Sequence, residues 1–236
     1  MKKVAILQSN YIPWKGYFDL INMVDDFVLF DEAQYTKQDW RNRNKIKTIH
    51  GLLWLTIPVS QETFAQKISE TKISDRRWYI KHWKTIKQAF AKSKYFDHYK
   101  DKIEDLYVGA IQEYLSEVNF RFIKAINEIL GIQTRLHHSS NFKLVDGQNE
   151  RLIKICKDLG ADIYLSGPAA KGYIDQKLFV SEGIKVRWMD YSGYPEYEQL
   201  FPPFEHSVTI LDLLFNTGSE AYRYMKSFSF NENANP

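Results

Sequence analysis

The sequence predicts an α/β protein with a mostly parallel sheet, Rossmann-like βαβ units and a helical insertion. Short apolar runs end in polar or glycine-containing loops, which is typical of buried parallel strands. Segments with apolar residues at helical spacing separate several of these runs. Between residues 76 and 131 the helical spacing continues without a strand pattern, and no Pro-, Gly- or Ser-rich linker flanks it. We therefore expect one domain over residues 1–236, with 76–131 as a helical insertion or layer within it.

The first part of the chain predicts a compact βαβ unit. Val4–Leu7 and Phe27–Phe30 are apolar runs typical of buried strands, and apolar residues at helical spacing predict a helix over Lys15–Val24. Consecutive strands of such a unit usually lie side by side, so the loops that follow them should lie close together. Ile46 and the run Leu52–Val59 supply further strands.

The middle and the end of the chain predict helices first and then a return of the α/β pattern. Two long helices are expected over Arg76–Tyr99 and Asp105–Leu130, with Gly131 ending the second. Ser207 is expected to cap the last helix and Gly218 to end it, and the polar tail from Asn231 is expected to fray. The elements expected between these points are strands at Thr134–His138, Ile163–Leu165 and Ile184–Met189, and helices at Gln148–Leu159, Asp175–Ser181 and Val208–Phe215.

Composition excludes several classes of protein. The 236 residues are 44% hydrophobic and 26% charged, an ordinary globular composition, and 32 basic against 29 acidic residues leave +3, too little to indicate a nucleic-acid partner. One cysteine excludes an internal disulfide, and no His or Cys cluster has metal-ligand spacing, so no metal or other cofactor is expected. No run of 18 apolar residues and no signal-peptide core occur, so we expect a cytoplasmic protein that does not span a membrane. Oligomeric state is left open.

The loop after the first strand is the first candidate site. Ligands of open α/β sheets bind at the carboxyl ends of the strands, next to helix N-termini. Gln8, Asn10 and Lys15 offer polar groups there, and Tyr11 and Trp14 are expected to be exposed aromatic rings. The alternative is a loop whose Pro and Trp residues only close the top of the sheet.

A second candidate site follows the second strand. Asp31 is a carboxylate at a strand end that could bind a sugar hydroxyl or act as a base, and Gln34 lies in the same segment. A solvated strand end is the alternative. Lys15 and His206 are further candidates for proton transfer, and His206 lies just before the last predicted helix.

Residues 37–47 are the most basic segment, with five basic residues and one Asp giving +4. Arg41, Arg43, Lys45 and Lys47 recur at every second position, so in an extended segment they would share one face. Such a stripe suits phosphates, and Trp40 could stack on a ring. A charged edge strand is the alternative. The expected ligand is a nucleotide-linked sugar or another phosphorylated small molecule, with nucleic acid disfavoured because the patch is single.

The fourth candidate is the loop after the strand at Ile163–Leu165. Ser166 and Gly167 would let a ligand approach the backbone closely, and Lys171 follows. This loop lacks the spacing of a Walker loop or a dinucleotide fingerprint.

Three blocks of the sequence together resemble a known family. They are QSNYIPWKGYF from Gln8, WRNRNKI from Trp40, and YLSGP from Tyr164 with YEQL from Tyr197, Ser207 and ILDLL from Ile210. On these residues the chain resembles the WbqC-like protein family over nearly its whole length. The resemblance implies a role in building or decorating a bacterial surface polysaccharide, such as an O-antigen or a capsule, by transfer of an acyl or aminoacyl group to an amino sugar. It implies no particular site residue.

The leading hypothesis is a transferase of glycan biosynthesis that acts on a nucleotide-linked sugar. In it Arg41 and Arg43 bind the phosphates, and Trp14 or Trp40 stacks on a ring. Asp31 or His206 transfers a proton. One alternative is an ATP-dependent enzyme that transfers a nucleotidyl or adenylate group. The strand, turn and Gly16 at a helix start also resemble the nucleotidyltransferases with a His-x-Gly-His signature, but no histidine is present there. A second alternative is a non-catalytic module that binds nucleotides or sugars.

Overall fold

Five parallel strands form the central sheet of the computed structural model, which describes residues 1–229. The sheet has the spatial order β7-β2-β1-β8-β9, so the order of the chain reverses between β1 and β8. The α/β class with a mostly parallel sheet is thus confirmed. The strands are β1 (Lys3–Leu7), β2 (Asp26–Leu29), β3 (Arg43–Thr48), β4 (Gly51–Thr56), β5 (Val59–Ser60), β6 (Lys72–Ile73), β7 (Arg135–His138), β8 (Ile163–Ser166) and β9 (Lys185–Trp188).

Helices cover both faces of this sheet, as a parallel sheet requires. Alternate residues of a strand point to opposite faces, so Ala5 packs into one apolar cluster and Val4 and Ile6 into the other. The larger cluster joins the sheet to α1, α2, α3, α4 and α7, and the smaller one joins it to α5 and α6. The helices are α1 (Lys15–Asn22), α2 (Trp78–Phe90), α3 (Phe96–Val108), α4 (Leu115–Leu130), α5 (Gln148–Asp158), α6 (Gln176–Ser181), α7 (Ile210–Thr217) and α8 (Lys226–Ser229).

Two helix predictions are corrected. The middle of the chain forms three helices rather than two, because α2 ends at Phe90 and the backbone N–H of Tyr95 bonds the Phe215 carbonyl instead of continuing a helix. Thr209, not Ser207, caps α7, since the Thr209 side chain accepts a hydrogen bond from the Leu211 N–H. The tail from Asn231 lies outside the described residues.

Two antiparallel hairpins lie outside the central sheet. Strand β3 pairs with β4 across a two-residue turn that ends at Gly51, whose φ of +101° favours glycine. Strand β5 pairs with β6. No helix among residues 1–229 combines the length and the apolarity that a membrane crossing requires.

Candidate functional site

The loop after β1 is strained and is held by neighbouring backbone and side-chain groups. Ile12 has a φ of +38°, which a β-branched residue rarely adopts and which costs about 1–3 kcal/mol. The Asn44 amide donates to the carbonyls of Tyr11 and Ile12, at 3.1 and 2.6 Å. The Ile210 N–H donates to the Pro13 carbonyl at 2.9 Å. Strain that is held by so many contacts is characteristic of functional loops.

Tyr11 is fully buried, which corrects the expectation of an exposed ring. The Nε2–H of His82 donates to the Thr56 carbonyl at 3.1 Å, so its Nδ1 accepts from the Tyr11 hydroxyl at 2.8 Å. The Tyr11 oxygen in turn accepts from the Tyr107 hydroxyl at 2.7 Å. Burial lowers the pKa of His82 to about 4, so the hydrogen-bonded side chains of His82, Tyr11 and Tyr107 stay uncharged. Tyr11 therefore anchors the loop to α2 and α3.

Trp14 is the last residue of this loop, directly before α1, and is only partly buried. Its ring packs against Tyr191 and Tyr194, with ring centroids 5.4 and 5.5 Å away. A Cβ added at Gly16 would lie 2.3 Å from the Trp14 ring, so the ring sits directly on the glycine. Trp14 and Gly16 are thus coupled by close packing.

Gly16→Ala is expected to move the Trp14 ring from this position, because no real Cβ tolerates a contact of 2.3 Å. Tryptophan fluorescence should show the ring becoming more exposed, and ligand binding in the neighbouring cavity should weaken. Gly172→Ala is the matched control, since an added Cβ there meets nothing within 4 Å. Equal spectra for Gly16→Ala and the wild type would contradict the coupling.

Arg41 bridges the two amide side chains of the loop. Its guanidinium donates to Asn10 Oδ1 at 2.7 Å and to Gln8 Oε1, and it lies 3.5 Å from Asp39. Because both amide oxygens face the arginine, the NH₂ groups of Gln8 and Asn10 are left to donate elsewhere. Arg41 therefore positions the loop. It lies in the turn before β3 and not on the predicted stripe.

Asp31 also contacts this loop by a hydrogen bond, and its side chain is almost fully buried. Its Oδ1 accepts from the Ser9 N–H at 2.9 Å, and the Asn119 amide donates to Ser9 Oγ and to the Arg41 carbonyl. Burial raises the pKa of the Asp31 carboxyl, opposed by the hydrogen bonds from Ser9. Its Oδ2 is buried without a hydrogen-bond partner among the described residues. The strands bring Asp31 to the loop as expected, but it lines neither of the cavities described below.

A cavity of about 230 Å³ opens between the loop and β3, and we call it the loop cavity. Half of its lining is amide or hydroxyl groups, which suit sugar or base edges, and the other half is apolar. Its lining residues are Asn10, Pro13, Trp14, Trp40, Asn44 and Ser207.

A basic–aromatic face, formed by Trp40, Arg43, Lys45 and Trp54, adjoins the loop cavity through Trp40. The two indole rings lie 5.3 Å apart and are 39% and 40% exposed. The Arg43 guanidinium lies 4.1 Å from the Trp54 ring, and Lys45 Nζ lies 5.6 and 5.4 Å from the two rings. Cations held on aromatic faces keep their outward donors for an anion. This face combines phosphate binding with ring stacking.

Lys47 does not belong to that face, although the sequence pattern placed it there. Its Nζ is buried and donates to Gln199 Oε1 at 2.8 Å. Gln199 Nε2 donates to Asp212 at 2.9 Å, and Asp212 also accepts from the Tyr197 hydroxyl at 2.8 Å. We call Lys47, Tyr197, Gln199 and Asp212 the buried network. Burial raises the pKa of Asp212 and lowers that of Lys47.

Lys15 and His206 lie together but apart from Asp31. Lys15 Nζ bonds the Pro195 carbonyl at 2.9 Å and lies 5.1 to 5.8 Å from the rings of Tyr194, Tyr197 and Phe204. Burial lowers the pKa of Lys15 to about 8. The pKa of His206 is lowered first by its own burial and then by the positive charge of Lys15. His206 precedes Ser207, which lines the loop cavity.

The remaining candidates lie outside the loop cavity. Gln34 donates to the Phe64 carbonyl at 2.7 Å on the exposed surface. Ser166 is buried. A Cβ added at Gly167 would lie 3.7 Å from the hydroxyl of Tyr191, so this loop lies next to the ring that packs against Trp14. Lys171 Nζ lies 5.8 Å from the Trp188 ring. No group of three His, Cys, Asp or Glu residues within 1–229 could hold a metal ion.

Sequence reasoning missed Trp54, Asn44 and Ser207 as site residues. The turn at Gly51 could have predicted the hairpin, which pairs Lys45 with Trp54 on one face. No local pattern could have placed Ser207 in the same cavity as Asn10, because the two residues are almost 200 positions apart in the chain.

Comparison with known proteins gives two matches. The model of the WbqC-like protein family matches residues 8–224. The uncharacterized protein Rv1507c of Mycobacterium tuberculosis is 48% identical over 227 residues, which cover 96% of this chain and 98% of that protein. No solved structure matches the chain.

Proposed function

The chain belongs to the WbqC-like protein family, and on that premise we propose that it is a transferase acting on a nucleotide-linked sugar held in the loop cavity. The family resemblance supports a role in the biosynthesis of bacterial surface polysaccharides, with an acyl or aminoacyl group as the transferred unit. The observation that carries the proposal is the junction of the loop cavity with the basic–aromatic face.

The size of the cavity supports a ligand of two parts. Cavities that enclose a whole drug-sized ligand measure about 300–1,000 Å³. The loop cavity, at about 230 Å³, has room for one ring and not for a whole nucleotide sugar. The diphosphate would then lie outside it, within reach of Arg43 and Lys45, and Trp40 or Trp54 would stack on the other ring.

Polar groups of the loop cavity suit sugar hydroxyls. Asn10 has its oxygen bound to Arg41, so its NH₂ remains as a donor, and Ser207 offers a hydroxyl that donates and accepts. In the proposed transfer the amino group of the sugar attacks the thioester carbonyl of the donor, and the C–S bond breaks as the C–N bond forms. His206, whose lowered pKa favours the neutral, proton-accepting ring, takes the proton from the amine and passes it to the departing thiolate, which leaves as a thiol. Lys15, held in its aromatic surroundings, acts on His206 through its charge.

The experiment is calorimetry followed by a turnover assay. UDP-N-acetylglucosamine and a UDP-linked amino sugar are titrated into the full chain, with UDP and ATP as comparisons. The nucleotide sugars are expected to bind more tightly than UDP, because only they fill the loop cavity. Incubation with acyl and aminoacyl thioesters, analysed by mass spectrometry, should then show a product with one added acyl group.

Other outcomes select the other functions. Consumption of ATP with release of pyrophosphate and no affinity for nucleotide sugars would establish a nucleotidyl- or adenylate-transferring enzyme instead. Binding of the sugars without a product from any donor would leave a binding module. Failure of all these ligands to bind would contradict the loop cavity as the site.

A further inference from the structure

A second cavity, of about 130 Å³, lies at the carboxyl edge of the central sheet, and we call it the sheet-edge cavity. Its lining residues lie in β1, β8 and α5 and in the segments that follow β1, β2 and β8. None of them lines the loop cavity. Its residues are Ile6, Leu7, Gln8, Phe30, Ala33, Gln148, Arg151, Leu152, Tyr164 and Tyr173.

The sheet opens at this place. Strand β1 pairs with β2 as far as Leu7, but its pairing with β8 covers only Lys3–Ile163 and Val4–Tyr164. The order of the strands also reverses between β1 and β8, and open α/β sheets bind ligands in the crevice at such a reversal. The sheet-edge cavity occupies that crevice.

The polar groups that line this cavity include two hydrogen-bond donors, the charged Arg151 guanidinium and the neutral Gln8 amide. The Arg151 Nε–H donates to the Val145 carbonyl at 3.1 Å. The guanidinium makes no other hydrogen bond within residues 1–229. Gln8 gives its oxygen to Arg41, so only its NH₂ remains. An arginine fork and an amide NH₂ select an oxyanion, while Phe30 and Tyr173 add apolar walls.

We propose that the sheet-edge cavity binds the oxyanion end, a carboxylate or a phosphate, of a second small substrate through Arg151 and Gln8. This rests on the proposed function in one respect, since that substrate would be the donor. Arg41 joins the two cavities, because its guanidinium holds Gln8 of one and Asn10 of the other. The oxyanion end of the donor would therefore lie on one side of Arg41 and the sugar on the other.

The experiment uses acetate and inorganic phosphate as probes, titrated separately into the ¹⁵N-labelled full chain. The side-chain amide of Gln8 is expected to shift and that of Asn10 to remain unchanged. Arg151→Ala should weaken probe binding by about tenfold or more, and Arg151→Lys should restore part of it, because lysine keeps the charge but not the fork. The tighter of the two probes identifies the oxyanion.

Two further variants make the result independent of folding defects. Ala33→Leu fills the cavity without removing a charge and should also abolish binding of the probes, while Arg187→Ala removes an exposed arginine of β9 and should change nothing. Shifts centred on Asn10, equal weakening by Arg187→Ala, or no saturable binding of either probe would overturn the proposal. Because the probes carry no nucleotide, these results do not depend on whether a nucleotide sugar binds.

Discussion

Arg43→Ala is expected to weaken the binding of a UDP-linked sugar by about tenfold to a hundredfold. A charge-assisted hydrogen bond contributes about 1.5–3 kcal/mol, and each 1.4 kcal/mol is tenfold in affinity. The Arg43 guanidinium lies 4.1 Å from the Trp54 ring, and its Nε is buried without a hydrogen-bond partner among the described residues. This contact holds the guanidinium beside the two exposed indole rings, where a phosphate could bind its remaining donors.

The controls separate phosphate binding from packing. Arg43→Lys should restore only part of the affinity, since an ammonium cannot bind two phosphate oxygens in the fork geometry. Arg76→Ala removes an exposed arginine that belongs to neither the basic–aromatic face nor the loop cavity and should leave the affinity unchanged. Calorimetry on the folded variants measures both. If Arg43→Ala bound the sugar normally but lost solubility, the arginine would only protect an edge hairpin, as the alternative reading of this segment holds.

Asp212→Ala is expected to lower the free energy of unfolding by about 2–4 kcal/mol, because removing a buried acceptor leaves its donors unpaired at about 1–3 kcal/mol each. The Tyr197 hydroxyl would lose its acceptor, the Asn216 amide would lose one of two acceptors, and the Gln199 amide would lose one of three. Chemical denaturation measures the change.

Two variants check this expectation. Asp212→Asn keeps one acceptor oxygen and should lose less stability, whereas Asp101→Ala on the exposed surface of α3 should stay within about 0.5 kcal/mol of the wild type. Asp212→Ala should also weaken sugar binding, because the buried network ties the segment before Ser207 to β3. A stability loss for Asp212→Ala no greater than that for Asp101→Ala would show that the network contributes nothing.

Local patterns in the sequence predicted most elements of the central sheet. Apolar runs at β1, β2 and β8 stand out because a strand buried on both faces favours apolar residues at consecutive positions. The pairing of β1 with β2 could be predicted from the short connection between them. This pairing brings Asp31 next to the loop that contains Gln8 and Asn10. Family membership could be identified from the motifs of the loop and of β3.

Long-range contacts decided the rest. A period of two predicts one shared face only where the chain is extended, and β3 begins at Arg43, so Arg41 fell in a turn. Lys47 is on the strand, but its side chain is covered by the segment around Gln199. No local sequence pattern around Lys47 or Gln199 predicts this hydrogen bond.

The residue pattern alone predicted the fold class, the strands that end in polar loops and the cluster of positive charge before β4. Which of those side chains face a cavity depends on contacts made in the folded protein. Tyr11 became an anchor because His82 and Tyr107 lie where its hydroxyl ends, and Arg151 became a candidate anion-binding residue because β1 and β8 separate beside it. The physical reason is that burial and hydrogen bonding depend on neighbours distant in the chain, whereas strand and helix patterns depend on residues close together in it.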